Sequence, residues 1–423
     1  MNEQTNIFIR EHLSDDVRRL ALKKVAEGID LRYALQQIDG RQRAKSKLPK
    51  LAANLDVIFP VHLSVEQCSS EATAAYKSSI LQAYLAEKQK GGQKQPTVLT
   101  DLTGGFGIDF MALAPQFAKA VYVERSEELC EIARHNFPTL GMGNAEVVNA
   151  EAEDFLDNPT AEKCLFFMDP ARRSAHGARI FAISDCTPDV LSLMPQLKRQ
   201  GETLFLKLSP MLDWHKAVED IEGCGANVSE VHIVSVKNEC KELLLLVDLQ
   251  CEPLPETRLI CKNDDSVIEI TDVNGPDSSD SEHGVSRPTA NALRNLQNWQ
   301  CTDTPLTLFL PNASIMKAGC WDFIVQRYGV TQADRNSHLY FADHEIADFP
   351  GKQYRVQTIC ALNNKVLKSA LKDIKKANIA VRNFPMTAAE LRKSLKMKDG
   401  GDTFLFGTTI NGETRLVVGK IEN

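Results

Sequence analysis

Residues 97–109, TVLTDLTGGFGID, constrain this chain more than any other stretch. An apolar run of β character ends on Asp101, three glycines follow in four positions (Gly104, Gly105, Gly107), and a helical pattern, IDFMALAPQFA, starts at once. A strand that enters a glycine-rich turn and opens a helix is how an α/β sheet brings backbone close to a nucleotide-like ligand. The spacing is D-x-T-G-G-x-G, with Thr103 ahead of the glycines, and contains no good G-x-G-x-x-G. Taken alone, such a loop is also compatible with a plain tight turn or with another nucleotide.

The next strand ends carry the argument further. Residues 120–124 (AVYVE) read as a strand with Glu124 and Arg125 at its C-terminal tip. Two carboxylate oxygens there match two vicinal hydroxyls, although a solvated loop glutamate has the same local sequence. A third strand, 146–150, runs into EAEDFL, where Glu151 precedes the small Ala152 and Asp154 offers a rival register. The fourth strand, in KCLFFMDPARR, ends on Asp169-Pro170-Ala171-Arg172.

Four such positions in one order resemble the class I methyltransferases that use S-adenosylmethionine, especially their RNA-modifying branch. The wider pattern is similar to bacterial methyltransferases with a ferredoxin-like insert and a C-terminal THUMP-like domain. It rests on SVEQCSSEATAAYKSSIL (64–81), DLTGGFGID, MDPARR, FLKLSPMLDW (205–214), LPNASIMKAGCWD (310–322), HLYFADHEIADFPG (338–351) and ANIAVRNFPMTAAELRKSLKMKDGG (377–401). The resemblance implies S-adenosylmethionine as cofactor. Asp101 would lie near its ammonium, and Thr103, Gly104, Gly105 and Gly107 would make room for its methionine part and ribose. Glu124 and Arg125 would lie at the ribose, Glu151 and Ala152 at the adenine. Residues 66–76 resemble a lid over the cofactor, so Ser69 and Ser70 are candidates for its carboxylate, with a plain helix N-cap as the alternative.

The same resemblance places the chemistry on Asp169 and Pro170. In enzymes that methylate an exocyclic amine, the aspartate side chain and the proline carbonyl accept the amine's hydrogens and aim its lone pair. Here Ala171 replaces the second proline and Arg172 the usual aromatic. Arg172 and Arg173 suit a phosphate, or a base stacked on the guanidinium plane. Lys207, at the tip of the strand in FLKLSP, lies on the same edge and is a further candidate for substrate contact. Carbon methylation through a covalent route needs a nearby cysteine, and Cys164 lies inside a strand facing the core.

At 423 residues and 47.0 kDa the chain has room for two to four domains. No run approaches the length of a membrane-spanning helix, and the polar MNEQTNIFIREHLSDD lacks a signal-peptide core, so the expected location is the cytoplasm. The 11 cysteines include no C-x-x-C pair, which argues against zinc or iron–sulfur sites. The net charge of −7 conceals segregation. Residues 351–400 hold 12 Lys and Arg against Asp373, Glu390 and Asp399, whereas 263–282 hold five Asp, two Glu and no basic residue. A basic C-terminal end of this kind suits a phosphate backbone.

The expected organisation is an N-terminal helical region (1–65), a Rossmann-like methyltransferase domain (66–250), a linker with a ferredoxin-like domain (251–345) and a THUMP-like domain (346–423). LSDDVRRLALKKVAEG reads as one helix capped by Ser14 and stopped at Gly28, and RQRAKSK (41–47) as a solvated face or an RNA contact. Strands are expected at 203–208, 227–236 and 242–249, the last two closing the sheet as an antiparallel pair. After a linker at 276–288 come a helix at 290–299, a strand at 306–310, a helix at 315–328 and a strand at 337–341. A strand at 353–360, a helix at 363–376, a capping box from Thr387 to Glu390 and a hairpin turn at Asn411-Gly412 complete the chain. Asn378, Arg382, Asn383 and Phe384 combine polar, basic and aromatic character suited to single-stranded RNA.

The expected function is therefore methylation of a nucleobase in structured RNA, tRNA or rRNA, with RNA as partner. Methylation of a small molecule or a protein, and a non-catalytic RNA-binding role with a retained cofactor pocket, are the alternatives. A nicotinamide dehydrogenase is a more distant one.

Overall fold

The computed structural model describes residues 2–92, 95–158, 164–172, 182–254, 256–270, 296, 299 and 305–421. The expected linker at 276–288 and most of the expected helix at 290–299 lie outside them, as does Arg173. Contacts divide the chain into two units, Met1–Val231 with Glu242–Leu254, and His232–Lys241 with Pro255–Asn423.

The first unit begins with five helices, α1 (Glu3–Glu11), α2 (Val17–Leu20), α3 (Leu31–Ala44), α4 (Pro49–Ala53) and α5 (His62–Gln67). The single helix expected from Ser14 to Gly28 is only the four residues of α2. Asp16, not Ser14, caps it by accepting from Arg19 N at 2.9 Å. Over residues 21–28 only Val25 packs against the N-terminal cluster while Leu22 is 88% exposed, and a short helix with so little packing is marginal. The basic run 41–47 is likewise no uniform solvated face. Arg41 is buried, and its guanidinium donates to the carbonyls of Ala52 (3.3 Å), Asn54 (2.6 Å), Leu55 (3.0 Å) and Val57 (2.6 Å) while lying over the Phe59 ring. Five rigid donors are what lets arginine close such a loop.

The long helix α6 (Glu71–Lys90) leads into the sheet. Strands β1 (Val98–Asp101), β2 (Lys119–Glu124), β3 (Ala145–Asn149) and β4 (Cys164–Met168) alternate with helices α7 (Ile108–Leu113), α8 (Glu127–Thr139) and α9 (Ala152–Asp157). A two-residue ladder, β5 (Ala171–Arg172) with β6 (Cys186–Thr187), follows β4. Helix α10 (Val190–Gln200), β7 (Gly201–Leu208), α11 (Trp214–Glu222), and the parts of β8 (Asn227–Val236) and β9 (Glu239–Asp248) outside residues 232–241 complete it. Strand order is β8-β9-β7-β4-β1-β2-β3, with β7 to β3 parallel and β9 antiparallel to β7. Every residue of β1 and β4 is buried, as strands covered by helices on both faces require. From β1 the chain moves outward to β2 and β3, then returns to β4 on β1's other side. The carboxyl ends of β1 and β4 thus flank the topological switch point, where open sheets of this kind bind ligands.

The second unit holds a hairpin, β10 (Arg258–Asn263) with β11 (Ser266–Ile270), and a seven-stranded sheet. Its strands are β12 (Thr307–Pro311), β13 (Thr331–Gln332), β14 (Tyr340–Ala342), β15 (Gly351–Ala361), β16 (Asn378–Arg382), β17 (Thr403–Ile410) and β18 (Glu413–Ile421), in the order β13-β14-β12-β15-β18-β17-β16. The segments expected as ferredoxin-like and THUMP-like therefore share one sheet, joined where β15 pairs with β12 and β18. Alternation along β17 and β18 sends Phe406 and Val417 into one apolar cluster and Leu405, Leu416 and Val418 into another. The helix expected at 315–328 is broken into Ala313–Ala318 and Trp321–Tyr328 because Gly319, at φ +75°, ends the first in a left-handed cap. The helix expected to reach 376 stops at Ala370, and β16, absent from the sequence reading, comes next. The capping box at Thr387 and the turn at Asn411-Gly412 form as expected.

Candidate active site at the carboxyl ends of the parallel strands

The glycine loop is held by its own backbone and by two acidic strand ends. Asp101, buried at the tip of β1, accepts from Thr103 N at 2.9 Å. Gly104 N donates to Val123 O at 2.9 Å and Gly105 N to Glu124 Oε2 at 2.8 Å. The other Glu124 oxygen accepts from Ser126 N at 2.8 Å. Each carboxylate oxygen has two acceptor sites, so Glu124 is fixed by backbone amides and still has capacity for two hydroxyls. Asn149 steadies the same strand tip by donating to the carbonyls of Glu124 and exposed Arg125. The Tyr122 hydroxyl donates to Gly105 O. A Cβ on Gly105 would meet only Thr103 O, at 3.7 Å, so this backbone is open to close approach by a ligand. Gly107, at φ +82°, opens α7. Glu151 stands exposed at the N-cap of α9, its side chain making no cap hydrogen bond, and Ala152 behind it is buried.

Loop and acceptor strand meet directly. Asp169 N donates to Thr103 Oγ1 at 2.6 Å, which ties the start of the Asp169-Pro170 segment to the loop after β1. Pro170 is buried, and the Arg172 backbone pairs with Cys186.

Beneath these residues lies a charge cluster of Ser69, Lys77, Asp109, Asp169, Lys207 and Glu242, of which sequence reading singled out Ser69, Asp169 and Lys207 but not Lys77, Asp109 or Glu242. Lys207 Nζ lies 2.6 Å from Asp169 Oδ2, 3.0 Å from Ser69 Oγ and 3.4 Å from Asp109 Oδ2. Lys77 Nζ, on α6, lies 2.5 Å from Glu242 Oε2, 3.1 Å from Asp109 Oδ1 and 3.2 Å from Ser69 Oγ. The Ser69 hydroxyl in turn lies 2.7 Å from Asp109 Oδ2 and 3.2 Å from Glu242 Oε1. Ser69 is thus engaged inside the cluster, not presented to a ligand carboxylate. Ser70 is the N-cap of α6, in a capping box with Thr73. Spacing was the available signal for Lys77: it falls in register with Thr73, Ala74, Ile80 and Leu81, the buried face of α6.

Burial opposes the charge on Lys207, yet Asp169, Asp109 and Glu242 outweigh it and hold the ammonium firmly protonated. Burial likewise pushes the Asp109 carboxyl up, but Lys77, Lys207 and Ser69 prevail and bring it below its ordinary value. Burial raises Asp169, with Lys207 working against it. Asp101 rises well above its ordinary value, chiefly through burial, helped by Asp109, Asp169 and Glu124 and opposed by Thr103 N–H. A carboxyl whose folded pKa is raised costs stability as pH climbs from the unfolded to the folded value. Asp101→Asn is accordingly expected to raise the thermal midpoint of the ligand-free protein near neutral pH and flatten its acid-side dependence. It should also weaken cofactor binding about tenfold or more by removing a charge-assisted acceptor, as calorimetry and melting curves across pH would register.

The other candidates lie in the second unit, along β16 and just past it. Asn378 donates to Gly401 O at 2.9 Å, and Arg382 is exposed at the strand's end. Asn383, at φ +48°, donates to Asp334 Oδ1 at 3.3 Å. Phe384 packs against the cluster of Leu391, Leu405 and Leu416, so its ring is a core contact. Among the described residues no group of His, Cys, Asp and Glu is arranged to hold a metal, and no helix is long and apolar enough to cross a membrane.

Residues 308–350 match the model of a ferredoxin-like domain, and residues 351–420 match the model of a THUMP domain-like family. Two curated relatives, from two strains of Mycobacterium tuberculosis, are each named an uncharacterized S-adenosylmethionine-dependent methyltransferase. Each is 27% identical over 205 residues, 48% of this chain and 51% of the relative. The match thus spans about half the length of the curated relatives. A crystal structure of a provisionally assigned methyltransferase from Porphyromonas gingivalis W83 is 28% identical, with a TM-score of 0.81 over 100% of both chains. By its fold and these likenesses the chain resembles S-adenosylmethionine-dependent methyltransferases. The segments that match a ferredoxin-like and a THUMP-like domain follow the sheet that carries this likeness.

Proposed function

We propose that the protein methylates an exocyclic amine of a nucleobase in structured RNA, tRNA or rRNA, with S-adenosylmethionine as donor. The observation that carries this reading is the 2.6 Å bond from Asp169 N to Thr103 Oγ1, which sets the acceptor carboxylate beside the glycine loop at the switch point. Asp101, the open backbone at Gly105, Glu124 and Glu151 fit the cofactor's ammonium, methionine part, ribose hydroxyls and adenine. When bound, the cofactor supplies an electrophilic methyl group. Asp169 and the Pro170 carbonyl accept the amine's two hydrogens and so orient its lone pair, a positioning effect. The RNA part rests on the basic 351–400 segment and on exposed Arg382 at the end of β16.

The test is transfer of label from methyl-labelled S-adenosylmethionine to separated tRNA, rRNA, DNA, protein and metabolite fractions, with Asp169→Ala alongside. Label is expected in one RNA fraction and should fall about 100-fold in the variant, with cofactor binding retained. Label in protein or metabolites alone would replace the RNA reading with one of those substrates. Cofactor binding with label nowhere would favour a non-catalytic RNA-binding role.

A further inference from the structure

We infer that Lys207 is a positioning residue for the acceptor carboxylate: it ties down Oδ2 of Asp169 and leaves Oδ1 as the one carboxylate oxygen offered to the acceptor amine. The inference rests on the reading of Asp169 given under the proposed function, and it replaces the expectation that Lys207 touches substrate.

An ammonium has three N–H donors and no more. Those of Lys207 face three acceptors, Asp169 Oδ2 at 2.6 Å, Ser69 Oγ at 3.0 Å and Asp109 Oδ2 at 3.4 Å. No donor remains for a base or a phosphate. Lys77 is filled in the same way by Glu242, Asp109 and Ser69. Asp109 is the bridge, one oxygen toward each lysine. The position of Asp169 is therefore set through Lys207 by residues from α6, α7 and β9, none of which reaches an acceptor itself. Lys77 is 0% exposed, whereas the Asp169 side chain remains 37% exposed. One end of the chain of charges is sealed and the other opens toward the strand tips.

Ion pairing also changes what kind of acceptor Asp169 is. With Lys207 on Oδ2, the pair presents an oxygen with little net charge, close to what an asparagine amide would present. Removing both charges together while keeping an acceptor oxygen should then be less harmful than removing the lysine alone.

The experiment uses the full chain in four forms: wild type, Lys207→Met, Lys207→Gln and Lys207→Met with Asp169→Asn. Label transfer is measured on the RNA fraction that the wild type modifies. Both single variants should lose about 100-fold in kcat, since a misplacement near 1 Å costs that much, with the KM for RNA nearly unchanged. The double variant should recover about tenfold. A rise in the KM for RNA at constant kcat would make Lys207 a substrate contact and overturn the inference, as would absence of recovery. A second readout needs no substrate. With aspartate labelled at 13Cγ, the Asp169 resonance, identified by its loss in the double variant, should titrate about one unit or more higher in both single variants. The other charged groups around it, Asp101 on β1, Asp109 on α7, Lys77 on α6 and Glu242 on β9, are unaltered in them. An unchanged midpoint overturns the inference even if the wild type methylates no RNA, a result that would remove only the proposed substrate.

Discussion

Lys77→Met is expected to destabilise the first unit by about 3–5 kcal/mol, the range for breaking a buried ion pair from one side. The ammonium is fully buried against Glu242 Oε2 at 2.5 Å and Asp109 Oδ1 at 3.1 Å. Methionine fills much of the volume but leaves Glu242 without its cation and Asp109 with only Lys207 and Ser69, and desolvated charge without a partner is far costlier than the lost attraction. Lys77→Met combined with Glu242→Gln should recover part of the loss, because one of the stranded charges is then gone. The deficit should depend on pH in a definite direction. Asp109 has a lowered folded pKa, so its contribution is present above the unfolded value near ~3.9 and is lost as pH falls through the folded one. Removing Lys77 removes a main cause of that lowering, so the deficit should be largest near neutrality and shrink in acid. Hydrogen-exchange mass spectrometry of the α6 and β1 peptides in rising urea would follow this unit separately from the other.

Gly104→Ala should be the most damaging small substitution in the loop. Its Cβ would sit 2.2 Å from Tyr122 Cε2 and 2.5 Å from Cζ. The Tyr122 ring is fully buried, edge-on to Phe110 and Phe137 at centroid distances of 5.5 and 5.3 Å, and its hydroxyl is bonded to Gly105 O. The loop must therefore move, at a cost of about 1–3 kcal/mol for an overpacked site. Cofactor affinity should fall about 100-fold, because Gly105 N and Glu124 lose their alignment. Gly105→Ala is the comparison for folding cost, since its methyl would enter the space left for the ligand and not the core. Its Cβ meets only Thr103 O at 3.7 Å, so the penalty is the left-handed backbone at φ +56°, about 1–2 kcal/mol. Melting curves of the two variants would compare their folding costs, and calorimetric titration of S-adenosylmethionine into Gly104→Ala would register the lost affinity.

The strand tips were legible in the sequence because their signals are local. An apolar run, an acidic residue and a glycine turn lie within a few positions, and Asp101, Glu124, Glu151 and Asp169 all fall at or just past the ends of parallel strands. The charge cluster was not legible, because Ser69 meets Glu242 across 173 positions and Lys207 across 138. Nothing in the neighbourhood of Lys77 marks it except that it shares a helical face with apolar residues. Helix lengths were misjudged where charged and basic residues extended an apparent pattern past the last helical turn, as after α2 and beyond Ala370. The strand β16 was missed because five residues between polar neighbours carry little periodicity, and its parallel pairing with β17 is settled by partners 26 positions away.

The seven-stranded sheet has a consequence for the order of assembly. β18, the last of the described strands in chain order, lies inside the sheet, between β15 and β17. β15 pairs with β12 on one side, but its other edge stays open until residues 413–421 have been synthesised. β17 waits for the same nine residues. Until then the growing chain carries unpaired, largely apolar strand edges, the condition under which nascent sheets stray into intermolecular pairing. This half of the protein closes by insertion of its final strand, so a fragment shortened within β18 would lose the sheet's centre and not merely its margin.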